Sequence, residues 1–298
     1  MKLTEMKKIQ TLWVFIAAYL FAIIIGSLVV LYGLNQNWNL VMSSLLSTVI
    51  MTIIIFIFSN ITKNASLYDP YWSVIPIVII IQWLLIYPES LSSIYNILLL
   101  IAVIVWGTRL TLNWWKNWDG FKHQDWRYTH LHDQAPKLYL ITNFFGIHMI
   151  PTLVVYAQLI NAHDIIIHNE QNPILILFVI GFVLSVIAAV IQYVADKQMY
   201  AFRMDNANRK RCIDEGLWKY SRHPNYLGEL TFWVGIYVMY FSFEQNLNIN
   251  IVYPILMILL FLFISIPMME KKLSNRPGYI EYKKKVSMLL PYRKKSDN

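Results

Sequence analysis

Charge is scarce in this chain, and cysteine is almost absent. Charged residues make up 14% of the 298, well below the roughly 25% of ordinary soluble domains. A normal water-facing surface is therefore excluded. A single cysteine, Cys212, excludes an internal disulfide and a thiolate metal cage. No GxGxxG run occurs, so the glycine-rich phosphate loop of soluble dinucleotide domains is missing. His163 and His168 stand near Asp164 and Glu170, but without compact metal-ligand spacing. No metal site and no nucleic-acid module is expected. There is no internal repeat and no hydrophilic extramembrane domain. The basic start runs into an apolar segment with no small-residue cleavage site, which predicts a first spanning helix rather than a signal peptide.

What is abundant is hydrocarbon. Hydrophobic residues reach 57%, the mean hydropathy is +0.46, and 19 Tyr and 11 Trp supply rings for membrane–water interfaces. Apolar runs of spanning length recur at 12–33, 40–61, 72–87, 93–113, 138–160, 173–195, 226–243 and 249–269. The pattern predicts an all-α, polytopic transmembrane bundle of eight spans, folded as a single integral membrane domain over 1–298. Residues 1–60 hold its first two spans, and 60–298 the rest. With the N-terminus in the cytoplasm, all 25 Lys and Arg fall on cytoplasmic segments. Segments 34–39, 88–92, 161–172 and 244–248 carry none. This asymmetry obeys the positive-inside rule and puts both termini in the cytoplasm. The basic C-terminal tail reads as attraction to anionic headgroups.

One cytoplasmic segment differs. Residues 192–233 interleave basic residues with acids, amides and aromatics. Asp196 and Arg203 are seven apart, two helical turns on one face. Arg209, Lys210 and Arg211 form a basic run. Gly216 and Pro224 mark turns. Tyr220, Arg222, His223 and Asn225 sit at the entry to the seventh span, where free backbone N–H groups favour an anion. Asn225, Glu229 and Trp233 repeat at four-residue spacing, flanked by Tyr226. An intramembrane carboxylate is costly and marks a functional hypothesis. Arginine forks suit phosphates, carboxylates and amides suit ribose hydroxyls and a carboxamide, and aromatic faces suit a flat ring. Together they describe a dinucleotide pocket open to the cytoplasm. Each Arg taken alone is more often a headgroup contact, and Glu229 alone also fits a helix–helix hydrogen bond.

The stretch GLWKYSRHPNYLGE resembles the signature of the steroid 5-alpha-reductase superfamily, especially its bacterial branch of DUF1295-type membrane proteins. The resemblance extends through Asp196 and Arg203, and more weakly through WGTRLTLNWW and DWRYTHL, over about residues 60–292. It implies NADPH as cofactor, with Gln192, Asp196, Arg203, Arg211, Asn225, Glu229 and Trp233 on cofactor-contacting positions. Gln192 stands where the family has Asn. Arg127 and Tyr128 resemble a cytoplasmic-loop cofactor contact, and Arg109 is a further candidate. Surplus arginines imply NADPH over NADH.

In these reductases a Glu and a Tyr polarise the substrate ketone. Asp69, in DPYWSVIP, stands at the Glu position, and Trp106 stands where the Tyr would be. An indole N–H donates a hydrogen bond but gives up no proton, so Tyr68 and Tyr71 are the nearest substitutes. Asp69 reads equally as a loop carboxylate near the membrane surface. The implied reaction is reduction of an activated C=C bond in a lipidic enone, such as a 3-oxo-4-ene steroid, that enters from the membrane. The implied location is a bacterial cytoplasmic membrane with the cofactor site facing the cytoplasm.

Two alternatives stand beside it. Isoprenylcysteine carboxyl methyltransferases, which use S-adenosylmethionine, have a related RHPxY motif, and MEKKLSNRPGYIEYKK resembles their C-terminal region through Glu270, Gly278, Tyr279 and Tyr282. Met269 replaces one of their paired acids. A non-catalytic lipid-binding membrane protein is the third reading. His148 reads as a helix–helix hydrogen-bond partner, and Pro151 as a kink.

Overall fold

The computed structural model describes residues 5–168, 172–208 and 211–292. Glu170, Arg209, Lys210 and the basic residues of 293–298 lie outside the described residues. The fold is all helical. Among the described residues the only bridge-type pairing is a lone contact between Ser221 and Ser287. The chain divides into two compact units, Met1–Asn169 and Glu170–Asn298.

The first unit holds α1 (Lys8–Asn35), α2 (Leu40–Thr62), α3 (Tyr71–Ile86), α4 (Ile94–Asn117), the short α5 (Trp126–Gln134) and α6 (Pro136–Ile167). α1 and α2 form a hairpin sealed by small residues. A Cβ on Gly26 would lie 2.6 Å from Met51 Sδ, and the Ser47 hydroxyl donates to the Gly26 carbonyl at 2.8 Å. Small side chains let apolar helices approach where lipid gives no hydrophobic drive. The Asn39 side chain caps α2 by accepting from Met42 N–H at 2.7 Å. Lys63 ends α2 in the left-handed region at φ 52°.

The second unit holds α7 (Leu175–Met204), α8 (Pro224–Glu244), α9 (Ile249–Leu273) and α10 (Tyr279–Lys285). α7 and α8 pack at close range. A Cβ on Gly235 would meet Ser185 Oγ at 2.3 Å and the Gly181 carbonyl at 2.7 Å. The Ser185 hydroxyl crosses to the Phe232 carbonyl at 3.2 Å. Residues 216–219 fold back on α7. Trp218 Nε1 donates to the Ala195 carbonyl at 3.1 Å, and Leu217 N–H donates to Gln198 Oε1 at 2.9 Å.

Among the described residues, seven helices are long and apolar enough to cross a membrane: α1, α2, α3 with the turn before it, α4, α6, α7 and α9. They mark an integral membrane protein. The span expected at 226–243 is the helix α8, but α8 is not among the seven. Its sequence carries Glu229, Ser, Thr, Gly and three Tyr, and twelve of its 21 residues are buried. A helix that faces protein does not need the aliphatic surface by which a span is recognised. Two helices contain π-helical turns, Thr142–Met149 in α6 and Phe261–Ser265 in α9. Each ends just before a proline, Pro151 or Pro267. Proline lacks the N–H and crowds the carbonyl four residues back, so the preceding turn widens.

Candidate functional site

In the second unit α7 and α8 bring one polar cluster into an apolar interface. Glu229 is 3% exposed. Its Oε1 accepts from Trp233 Nε1 at 2.9 Å, and its Oε2 accepts from Gln192 Nε2 at 2.6 Å. The fit is tight, because a Cβ on Gly228 would lie 2.4 Å from the Gln192 side chain. The remaining Gln192 oxygen is buried without a hydrogen-bond partner. An unmet buried acceptor is rare, and each case calls for an explanation. Asp196 follows Gln192 by one turn on α7, and Asn225 precedes Glu229 by one turn on α8. Toward the end of α7, Arg203 is exposed. Arg211 is also exposed; it lies 3.6 Å from Asp214 and covers the Phe202 ring at 6.0 Å. Half-exposed Tyr220 follows the 216–219 turn.

Arg222 and His223 do something different from their neighbours. Arg222 is buried, with its Nη2 2.6 Å from Glu270 Oε1 and its Nε 2.8 Å from the same oxygen. Its Nη1 donates to the carbonyls of Val286 at 2.7 Å and Lys283 at 3.1 Å. Lys283 reaches Glu270 Oε2 at 2.6 Å. Tyr282 Oη donates to the Trp218 carbonyl at 2.5 Å. The Arg222 guanidinium is thus engaged in pinning the 283–287 segment to the start of α8. His223 Nε2 lies 3.4 Å from Glu270 Oε1, and its ring stacks on Tyr226 at 5.3 Å. Burial pushes the His223 imidazole below its ordinary value, against the pull of Glu270.

In the first unit the loop between α4 and α5 docks on the turn that precedes α3. Asn64 donates to the carbonyls of Phe121 and His123 at 3.2 and 2.7 Å. Asp125 N–H donates to Ser66 Oγ at 2.8 Å. This docking delivers Tyr128, 8% exposed, whose hydroxyl donates to Asp69 Oδ1 at 2.5 Å. Burial and the adjacent Asp69 carboxylate push the Tyr128 phenol well above its ordinary value. Arg127 forks onto Asp125 through Nε at 2.8 Å and Nη2 at 3.1 Å. Tyr68 and Tyr71 turn elsewhere: Tyr68 Oη meets Thr152 Oγ1 at 2.9 Å, and Tyr71 Oη meets Thr52 Oγ1 at 3.2 Å. His148, fully buried, bonds Ser59 Oγ at 3.0 Å and the Asn143 carbonyl at 3.0 Å. Arg109 is half-buried on α4, three residues after buried Trp106.

A family described as "protein of unknown function (DUF1295)" matches residues 55–286. The chain belongs to the DUF1295 family. Among curated proteins, an uncharacterised protein of Schizosaccharomyces pombe (strain 972) is 26% identical over 200 residues, which are 59% of this chain and 58% of the yeast protein. The chain thus spans a little over half the length of that relative. Because the relative is a yeast protein, the similarity reaches beyond bacteria, and a bacterial membrane has no support from it. No solved structure matches.

For this DUF1295 protein the sequence-predicted residues fall into two groups. Gln192, Asp196, Arg203, Arg211, Tyr220, Arg222, His223, Asn225, Tyr226, Glu229 and Trp233 lie in the second unit. Asp69, Tyr68, Tyr71, Arg109, Arg127 and Tyr128 lie in the first. Two partnerships were missed. The sequence places Tyr128 at a cofactor contact and gives no sign that its hydroxyl bonds Asp69. Glu270 was read only through a methyltransferase-like pattern, whereas it partners Arg222. The signal available for Glu270 was a lone acid closing the last apolar run, a position where a carboxylate needs a cation.

Proposed function

We propose that this protein is a membrane-embedded, NADPH-dependent reductase of an activated C=C bond in a lipidic substrate, such as a 3-oxo-4-ene steroid, and that its family joins the steroid 5-alpha-reductase superfamily. The observation that carries the reading is the buried Glu229 cluster: a carboxylate inside an apolar helix pair, gripped by Trp233 and Gln192, with one Gln192 oxygen left without a donor. The unmet Gln192 oxygen leaves an acceptor that a carboxamide N–H would satisfy. The residues fit the parts of the cofactor. Gln192 and Glu229 match a carboxamide, Asp196 and Asn225 match ribose hydroxyls, and exposed Arg203 and Arg211 match phosphates. The one-sided basic residues support a cytoplasmic approach for the charged cofactor.

When bound, NADPH supplies hydride to the β-carbon of an enone. The chain's own part is to hold the cofactor and to meet the negative charge that develops on the substrate carbonyl oxygen. We assign that second task to the Asp69–Tyr128 pair, which keeps a proton at the Tyr128 oxygen. The hydroxyls of Tyr68 and Tyr71, the nearest substitutes by sequence, bond Thr152 and Thr52 instead of Asp69.

The test uses the full chain in nanodiscs, with calorimetry reporting NADPH titration and absorbance reporting NADPH consumption over a panel of lipidic enones. Glu229→Gln is expected to weaken NADPH binding by about tenfold to a hundredfold, since bonds to a charged acceptor become neutral ones. Tyr128→Phe is expected to keep NADPH binding and lose turnover by roughly 10²–10⁴-fold. No response to millimolar NADPH, together with labelled methyl transfer from S-adenosylmethionine to a prenyl-cysteine, would replace this reading with a methyltransferase. NADPH binding without turnover on any lipid would leave a non-catalytic protein.

A further inference from the structure

A cavity of about 400 Å³ lies wholly inside the first unit between the end of α2 and the start of α6. That volume falls within the usual range of ligand pockets. Most of its lining side chains carry a polar group, with Ala65 the aliphatic exception. Its floor holds Ser59, occupied by His148, and Asn143. Asn143 is 3% exposed, and its side-chain oxygen has no hydrogen-bond partner. It sits in the π-helical turns of α6, a local widening found often at functional sites. The rim holds exposed Lys63 and His132. Lys63 is in no ion pair among the described residues, and no carboxylate lines the cavity. Gln124 uses its oxygen to accept Ala65 N–H at 3.0 Å, so its amide N–H groups remain as donors. Asn64, tied at both ends of its amide, is a fixed wall.

The donor and acceptor pattern constrains the occupant. A lone ammonium with surrounding neutral donors and no acid asks for an anion. An unmet buried amide oxygen asks for a hydroxyl or N–H from the ligand, because leaving it bare costs free energy. We infer that this cavity binds a hydroxyl-bearing phosphate ester, its phosphate at Lys63 and a hydroxyl at Asn143. The same chemistry belongs to a lipid headgroup and to a soluble polyol phosphate. The site is independent of the reductase reading and shares none of its assigned residues.

The experiment titrates the full chain in phosphatidylcholine nanodiscs with glycerol 3-phosphate, and compares phosphatidylglycerol nanodiscs in a parallel arm, reading the thermal midpoint and retained lipid by native mass spectrometry. Binding in either arm supports the site and identifies its source. Lys63→Gly should weaken binding at least tenfold without lowering the midpoint of the unliganded protein, because glycine suits the left-handed position at φ 52°. Asn143→Ala should also weaken binding and leave the unliganded midpoint unchanged or higher, since it removes an unmet polar atom. A structural role would lower both midpoints. The proposal is overturned if neither probe binds, if both variants bind as the parent does, or if inorganic phosphate competes as well as glycerol 3-phosphate.

Discussion

The Arg222–Glu270 pair offers the sharpest test of how the second unit holds its C-terminal segment. Glu270→Ala removes the carboxylate that lies 2.6 and 2.8 Å from the Arg222 guanidinium. The guanidinium side chain is 5% exposed, so water cannot replace what is lost. Breaking a buried pair from one side costs about 3–5 kcal/mol, mostly the penalty of an uncompensated charge. Lys283 is half-exposed at 52%, so its share is small, about 0–1 kcal/mol. The loss should appear first where Arg222 N–H bonds the Ser287 carbonyl at 3.0 Å. Hydrogen–deuterium exchange in nanodiscs should show that amide opening roughly 10²–10³-fold more often, at about tenfold per 1.4 kcal/mol. The double variant Arg222→Met with Glu270→Met should recover much of the protection, because an apolar pair of similar volume leaves no buried charge. A double variant as labile as the sum of the singles would refute the pairing, as would an unchanged exchange rate in Glu270→Ala.

Other predictions are briefer. Burial holds His223 below its ordinary value of 6.5; the unfolded chain therefore binds the proton more readily, and the His223 contribution to stability is lost as pH falls below about 6.5. Thermal midpoints between pH 7.5 and 5 should fall less steeply in His223→Asn than in the parent. Gly235→Ala drives a Cβ into the Gly181 carbonyl at 2.7 Å and should cost about 1–3 kcal/mol, read as a lowered midpoint. Gly146→Ala meets only Thr142 at 3.8 Å and serves as the tolerated control. Tyr128→Phe leaves Asp69 short of a donor at 2.5 Å and should cost about 1–3 kcal/mol, a loss that phenylalanine packing does not restore.

Much of the fold was legible because membrane spans carry their evidence locally. The runs at 12–33 and 40–61 became α1 and α2 within a few residues at either end. The run at 226–243 became α8, and its weaker apolar signal has a physical cause. Hydropathy reports what faces lipid, and α8 faces protein, with Gly228 and Gly235 in contact with α7. Its helical character was legible from the four-residue spacing of Asn225, Glu229 and Trp233. Its place among the lipid-facing spans was not, because the same spacing that brings Glu229 to Gln192 removes the aliphatic signal.

The two candidate centres differ in legibility for a related reason. Glu229 and Trp233 are one turn apart, so helix geometry alone puts the indole N–H beside the carboxylate. Asp69 and Tyr128 are 59 positions apart, and no periodicity links them. Their meeting depends on Asn64, Ser66 and Gln124 fastening the α4–α5 loop to the turn before α3. Those three are ordinary polar loop residues in the sequence, and only their mutual bonds give them meaning. The same holds for Arg222, whose neighbours in the chain point to an anion site while its partner Glu270 lies 48 residues away. A buried arginine with a carboxylate and two carbonyls on it has little fork left for a phosphate. The phosphate contacts of the proposed NADPH site therefore rest on Arg203 and Arg211, which are exposed. Arg203→Ala with Arg211→Ala should abolish any preference for NADPH over NADH while leaving the 283–287 segment protected from exchange. Loss of that protection would mean that the two arginines belong to the pin rather than to a phosphate site.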